Sequence, residues 1–114
     1  MLTALILFGI AAVGGLLLAF LRVTNKPLPM PVALLHGGVA AAGLVLLAVA
    51  ALGAGGPERA RLALGLFVLA ALGGFVLFSF YMRKKQLPMG IMVVHALVAV
   101  TAFLILLGAV ISAA

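Results

Sequence analysis

Four apolar runs account for most of the chain, and each has the length that crosses a lipid bilayer. They cover approximately residues 3–21, 32–52, 62–82 and 88–112. Crossing ~30 Å of hydrocarbon takes about 20 helical residues at about 1.5 Å per residue. Since no water is present there to bond the backbone, the runs must be helices. The sequence therefore predicts an all-α fold: one integral membrane domain over residues 1–114, an up-and-down bundle of four transmembrane helices.

The composition supports a membrane location. Hydrophobic residues make up 68% of the 114 residues, and charged residues make up 7%. A soluble domain carries about 25% charged residues, so lipid has to cover this surface instead of water. The net charge of +6 comes from basic residues near the ends of the apolar runs, where they set membrane orientation. The lipid bilayer is therefore the expected partner, and nucleic acid is not.

Several kinds of chemistry are excluded by residues that the sequence lacks. It contains no cysteine, which excludes disulfides, thiolate zinc sites, iron–sulfur clusters and covalently attached c-type haem. Glu58 is the only acidic side chain and is expected in the middle loop. This argues against the small multidrug transporters, which need a glutamate inside the membrane. No catalytic residue is predicted, and an electron-transfer or accessory role is favoured over an enzyme.

The basic residues predict the orientation of the helices. Loops one and three carry five basic residues and the middle loop carries two. The positive-inside rule then places loops one and three in the cytoplasm and both termini outside. The expected location is a bacterial-type inner (plasma) membrane. The five are Arg22, Lys26, Arg83, Lys84 and Lys85, and the two are Arg59 and Arg61.

An internal match indicates a tandem repeat of a two-helix hairpin. A shift of 59 residues aligns residues 3–55 with 62–114 without a gap. The match includes the only two histidines, each at the same distance from a Leu-Pro-Met. Because each unit has two spans, the two copies should have the same orientation. The matched pairs are Phe8 with Phe67, Gly14-Gly15 with Gly73-Gly74, Leu28-Pro29-Met30 with Leu87-Pro88-Met89, and His36 with His95.

The two histidines are the candidate functional residues. The repeat places them at one depth on helices two and four, which are parallel and diagonal in an up-and-down bundle. Ionisable residues inside a membrane are costly and usually face the interior, where they mark a site. Small residues on the same faces and at similar depth thin the walls of the bundle. These are Ala40, Gly43, Ala99 and Ala102, together with Gly14, Gly15, Gly73 and Gly74.

Two facing imidazoles, thin walls and a basic rim are what a b-type haem requires. His36 and His95 would supply both axial ligands, and Arg22, Lys26 and Arg83 could pair with the propionates. This layout resembles the four-helix haem cores of transmembrane b-type cytochromes, including the ascorbate-dependent ones. The resemblance implies one haem b near the cytoplasmic face and local electron exchange with a quinone or a membrane redox complex. The chain departs from that family in having one histidine pair and only four helices, which puts electron transfer across the membrane in doubt.

Other interpretations remain open at this point. The histidines could be structural, hydrogen-bonded to Ser79, Thr101 or Tyr81, in an accessory subunit of a larger membrane complex. They could line a site for a quinone or another small ligand, or serve transport. Homo- or hetero-oligomers are compatible with either role. The pattern from Leu-Pro-Met to the histidine also looks like small uncharacterised bacterial four-helix membrane proteins, which adds no function.

Overall fold

The computed structural model describes residues 1–113 and contains four α-helices. All four are long and apolar enough to cross a membrane. The bundle measures 44 × 20 × 18 Å, and the helices run up and down. The predicted all-α architecture with four membrane spans is therefore confirmed. The helices are α1 (Leu2–Val23), α2 (Met30–Leu52), α3 (Glu58–Met82) and α4 (Met89–Ala113).

Prolines set where α2 and α3 begin. Pro29 and Pro57 are the N-cap residues, both extended, and Pro31 lies in the first turn of α2, where a missing N–H is harmless. Helix α3 begins at Glu58, so the prediction that Glu58 lies in a loop is wrong. A carboxylate at a helix N-terminus is stabilised by the helix dipole, which explains why the helix extends beyond the apolar run.

Helices α1 and α3 end in the same kind of turn. Asn25 and Lys84 both have a φ of 56°. The next amides reach back to the helix: the Lys26 N–H donates to the Leu21 carbonyl (2.8 Å) and the Lys85 N–H to the Phe80 carbonyl (2.9 Å). These are Schellman motifs, which satisfy carbonyls left unpaired at a helix end. Asparagine tolerates this left-handed conformation better than lysine does.

The helices pack most closely within each hairpin, α1 against α2 and α3 against α4. Looser packing of α2 on α3 and of α1 on α4 completes the ring. Within residues 1–113 the backbones on the two diagonals stay apart, so α1 meets α3 and α2 meets α4 only through side chains. The predicted diagonal placement of α2 and α4 is what the structure has.

The hydrophobic core lies in the half of the bundle that ends at the α2–α3 loop. Its centre is a face-to-face stack of Phe8 on Phe67, with ring centres 3.7 Å apart and planes inclined by 3°. Leu47 and Leu106 are fully buried beside it. Small side chains let the helices approach here. The small members of this core are Ala4, Ala51, Ala60, Ala63 and Ala102.

The turn at Lys84 generates a stability prediction. Glycine pays no steric penalty at positive φ, so Lys84→Gly should raise the free energy of unfolding by about 1 kcal/mol. The measurement is reversible unfolding in mixed micelles. Lys85→Gly is the matched control, since it removes the same charge at a residue without positive φ. An equal gain from both variants would contradict the explanation.

Candidate functional site: a histidine pair between the diagonal helices

His36 on α2 and His95 on α4 meet across the bundle. Their ring centres are 6.3 Å apart and their planes are inclined by 81°. Both side chains are half-buried. The structure therefore brings together the two residues that the sequence singles out, on the diagonal opposite to the phenylalanine stack.

Each imidazole is held by a backbone carbonyl of the neighbouring helix. The Nδ1–H of His36 donates to the Ala11 carbonyl and that of His95 to the Ala70 carbonyl, both at 2.7 Å. A carbonyl oxygen only accepts, so Nδ1 must carry the proton. In a neutral imidazole this leaves Nε2 with a free lone pair. The hydrogen bond thus fixes the tautomer as well as the direction of each ring.

The glycine pairs make room for the imidazoles themselves. A Cβ added at Gly15 would lie 2.8 Å from Cε1 of His36, and one added at Gly74 would lie 3.3 Å from Cε1 of His95. Added at Gly14 or Gly73, a Cβ would lie 3.5 Å or 3.6 Å from the Cβ of the facing histidine. These four glycines are therefore brought together with the histidines, and the fit is tighter on α1 than on α3.

The remaining small residues lie at two different levels. A Cβ added at Gly43 would lie 3.3 Å from the ring of Phe8, and Ala102 is fully buried in the same core. These two belong to the level of the phenylalanine stack. Ala40 and Ala99 are half-buried and one helical turn from the histidines along α2 and α4.

The three predicted basic residues have their partners at the loop end of the bundle. Nε of Arg22 donates to the Leu87 carbonyl at 2.8 Å. Nζ of Lys26 lies 5.7 Å from the ring centre of Phe20. Nε of Arg83 donates to the Ser79 carbonyl at 3.2 Å. Arg22 is seven residues beyond Gly15, which is about 10 Å of helix.

The hydroxyl partners predicted for structural histidines are wrong. The Ser79 hydroxyl donates to Val76, that of Thr101 to Leu97 and that of Tyr81 to Leu28, each to a carbonyl. Sequence reasoning missed the carbonyls of Ala11 and Ala70 as the true acceptors. A usable signal exists, because each alanine lies one turn before its glycine pair and 25 residues before its histidine.

Comparison with protein-family models, with curated proteins and with solved structures returned no match. What the site offers chemically follows from its atoms. In its neutral form each imidazole presents a lone pair on Nε2, which can ligate a metal or accept a hydrogen bond. Their surroundings are the apolar walls of the bundle, and within residues 1–113 no polar or charged side chain is buried.

The contact between Gly15 and His36 generates the second prediction. Gly15→Ala would place a methyl group 2.8 Å from Cε1 of His36 and should lower the free energy of unfolding by about 1–3 kcal/mol through overpacking. Gly65→Ala is the matched control, because a Cβ there meets nothing within 4 Å and alanine is the better helix former. Thermal unfolding in detergent measures both. An equal change in the free energy of unfolding for the two variants would show that the packing of His36 does not depend on a glycine at position 15.

Proposed function

We propose that this protein is a small membrane cytochrome that holds one haem b between His36 and His95. The observation that carries the proposal is the separation of the two imidazoles, whose ring centres are 6.3 Å apart. Each ring has its Nδ1 occupied by a carbonyl and its Nε2 free. The haem is thus assigned to the histidine pair and to no other part of the chain.

The separation would allow His36 and His95 to hold one iron between them. With metal–imidazole bonds of about 2.0 Å, as for zinc, and about 1.1 Å from nitrogen to ring centre, two opposed imidazoles have their centres about 6.2 Å apart. The observed 6.3 Å agrees with this value.

The hydrogen bonds have the form that metal-ligating histidines use. Such histidines donate the second ring N–H to a carbonyl, carboxylate or water, which orients the ring and raises the basicity of the ligating nitrogen. The Ala11 and Ala70 carbonyls accept in this way. This supports iron ligation through Nε2 on both sides.

The macrocycle would lie in the layer of the histidines, on the loop side of the phenylalanine stack. Arg22 lies fourteen positions after Phe8, which is about 21 Å of helix. Leu77 is buried and Leu18 is half-buried in this layer, and both have to turn aside for the ring. The cations at the loop end would neutralise the two negatively charged propionates. They are Arg22, Lys26 and Arg83.

When bound, haem supplies one-electron transfer. His36 and His95 would hold the iron, the Ala11 and Ala70 carbonyls orient the two rings, and the apolar walls exclude water. A single site near one end of a ~30 Å core serves exchange at that end. The partner class is therefore a quinone or a membrane redox complex on the side of the basic loops.

A second candidate is favoured by one specific observation, the close fit of His36 against Gly15. In this role the histidines bond the two helices of each hairpin, with no metal between them. A polar bond of this kind contributes about 0.6 kcal/mol on average between membrane helices. The protein would then be an accessory subunit that packs within a larger membrane assembly.

We also infer that the chain arose by duplication of a hairpin. Residues 59 apart make equivalent contacts, as His36 and His95 do with Ala11 and Ala70. The left-handed residues Asn25 and Lys84 have the same spacing. Duplication explains why both halves present one histidine at the same depth. The basic loops are assigned to the cytoplasm and both termini to the outside of a bacterial inner membrane, on the positive-inside rule.

The haem proposal predicts a spectrum. Protein expressed with ample haem should show reduced-minus-oxidised bands of a low-spin b-type haem, and His36→Ala and His95→Ala should each abolish them. Gly65→Ala, an open position, should keep them. All variants are first checked for monodisperse elution. A colourless, well-folded parent protein would reject the cytochrome and favour the accessory role.

The topology proposal predicts a labelling pattern, since the chain has no cysteine. A cysteine introduced at Gln86, which is exposed in the α3–α4 loop, should be protected from a membrane-impermeant maleimide in intact cells. One introduced at Ala54 in the α2–α3 loop should react. Lysis is the control that makes both positions reactive. The reverse pattern would place the basic loops outside.

A further inference from the structure

The α1–α2 and α3–α4 loops are tied to each other by three side-chain bonds. The Nε of Arg22 donates to the Leu87 carbonyl at 2.8 Å, and the Tyr81 hydroxyl donates to the Leu28 carbonyl at 2.7 Å. The Nε2 of Gln86 adds a bond to Oδ1 of Asn25 at 3.3 Å. Each hairpin thus bonds the loop of the other. We call this set of contacts the loop clasp.

A depression lies between the two clasped loops. Its volume is about 580 Å³, and four basic side chains line it: Arg22, Lys26, Lys84 and Lys85. The only acidic side chain of the chain, Glu58, begins α3 at the opposite end of the bundle. The cations of the depression therefore have no carboxylate side chain beside them, so no acidic side chain competes with an external anion for them.

Arg22 is the cation best prepared to bind such an anion. It is half-buried, whereas Lys26, Lys84 and Lys85 are exposed. Its Nε donates to the Leu87 carbonyl, and its two terminal nitrogens make no hydrogen bond within residues 1–113. A guanidinium held by one nitrogen presents the other two as a fork that matches a phosphate. Tyr81, the corresponding residue of the other hairpin, carries no charge, so there is one such fork.

The surface next to the depression is apolar. The Phe20 ring lies below Lys26, at 5.7 Å from its Nζ, and is 57% exposed. Val23, the last residue of α1, and Met82, the last residue of α3, are also more than half exposed. Acyl chains pack on such side chains, whereas free inorganic phosphate gains nothing from an apolar surface. The combination selects a lipid over a soluble anion.

We propose that the depression between the clasped loops binds the phosphate of an anionic lipid headgroup, with Arg22 as the fork and the three lysines around it. The acyl chains lie along α1 beside Phe20 and Val23. The site is distinct from the histidine pair, and it does not depend on haem. The five cations at this end exceed the three negative charges of one phosphodiester and two propionates together, so both anions can be balanced. Binding at this place stabilises the loop clasp and fixes the depth of the basic end in the bilayer.

The test uses the whole protein in detergent and native mass spectrometry. The probes are dioleoyl phosphatidylglycerol and dioleoyl phosphatidylcholine, which share acyl chains and differ in headgroup charge. Lys26→Gln/Lys85→Gln removes two lining charges without touching the clasp. Arg59→Gln/Arg61→Gln removes two charges at the other end and is the matched control.

The parent protein should retain phosphatidylglycerol over phosphatidylcholine. The double lysine variant should bind it about 30-fold more weakly, from about fivefold per basic residue near an anionic surface, and the control should bind as the parent does. Arg22→Lys keeps the charge and removes the fork, so it should weaken binding at least threefold. Equal retention of the two lipids, an equal loss in the control, or unchanged binding by Arg22→Lys would overturn the site. Displacement of the lipid by an equal concentration of inorganic phosphate, at constant ionic strength, would overturn the lipid as its occupant.

Discussion

The hydrogen bond between each imidazole and a backbone carbonyl is the interaction on which the histidine-containing half of the bundle depends. An imidazole N–H in an apolar bundle cannot rely on water, so its acceptor has to be a group already present there. The acceptors are the carbonyls of Ala11 and Ala70, whose second lone pairs stay available within a helix. Bonds of 2.7 Å require close approach of α2 to α1 and of α4 to α3, and Gly14-Gly15 and Gly73-Gly74 permit it.

The two diagonals of the bundle are filled by different side chains in different halves of the bundle. Phe8 and Phe67 fill the gap between α1 and α3 in one half, and their stack with Leu47 and Leu106 forms the tight core. His36 and His95 fill the gap between α2 and α4 in the other half. Because the tight core is complete without the histidines, the histidine half can be adapted to a ligand with less loss of stability. A site placed among the phenylalanines would have disrupted the core.

The sequence predicted the four spans because hydropathy reports directly on lipid exposure, and it predicted the meeting of His36 with His95 from their spacing. The start of α3 was missed, because Glu58 and Arg59 are polar and a helix can extend into the headgroup region on its capping alone. The hydroxyl acceptors were wrong for another reason. Sequence patterns report side chains, whereas the acceptors are backbone carbonyls, present at every residue. The glycines were placed at the right depth, but their contact with the imidazole rings follows only from the folded structure.

The haem and structural interpretations of the histidines share one nitrogen and differ in the other. Nδ1 is occupied in both, because the bond to the carbonyl is needed for any imidazole buried at this place. Only Nε2 separates them, as an iron ligand in one case and an unused lone pair in the other. A structural role would be satisfied by one ring in each hairpin at any distance from the other ring. The two rings, inclined by 81° with their centres 6.3 Å apart, lie at a distance that a shared metal requires and that an edge-to-face contact between rings also has, so the two roles are separated by what Nε2 binds.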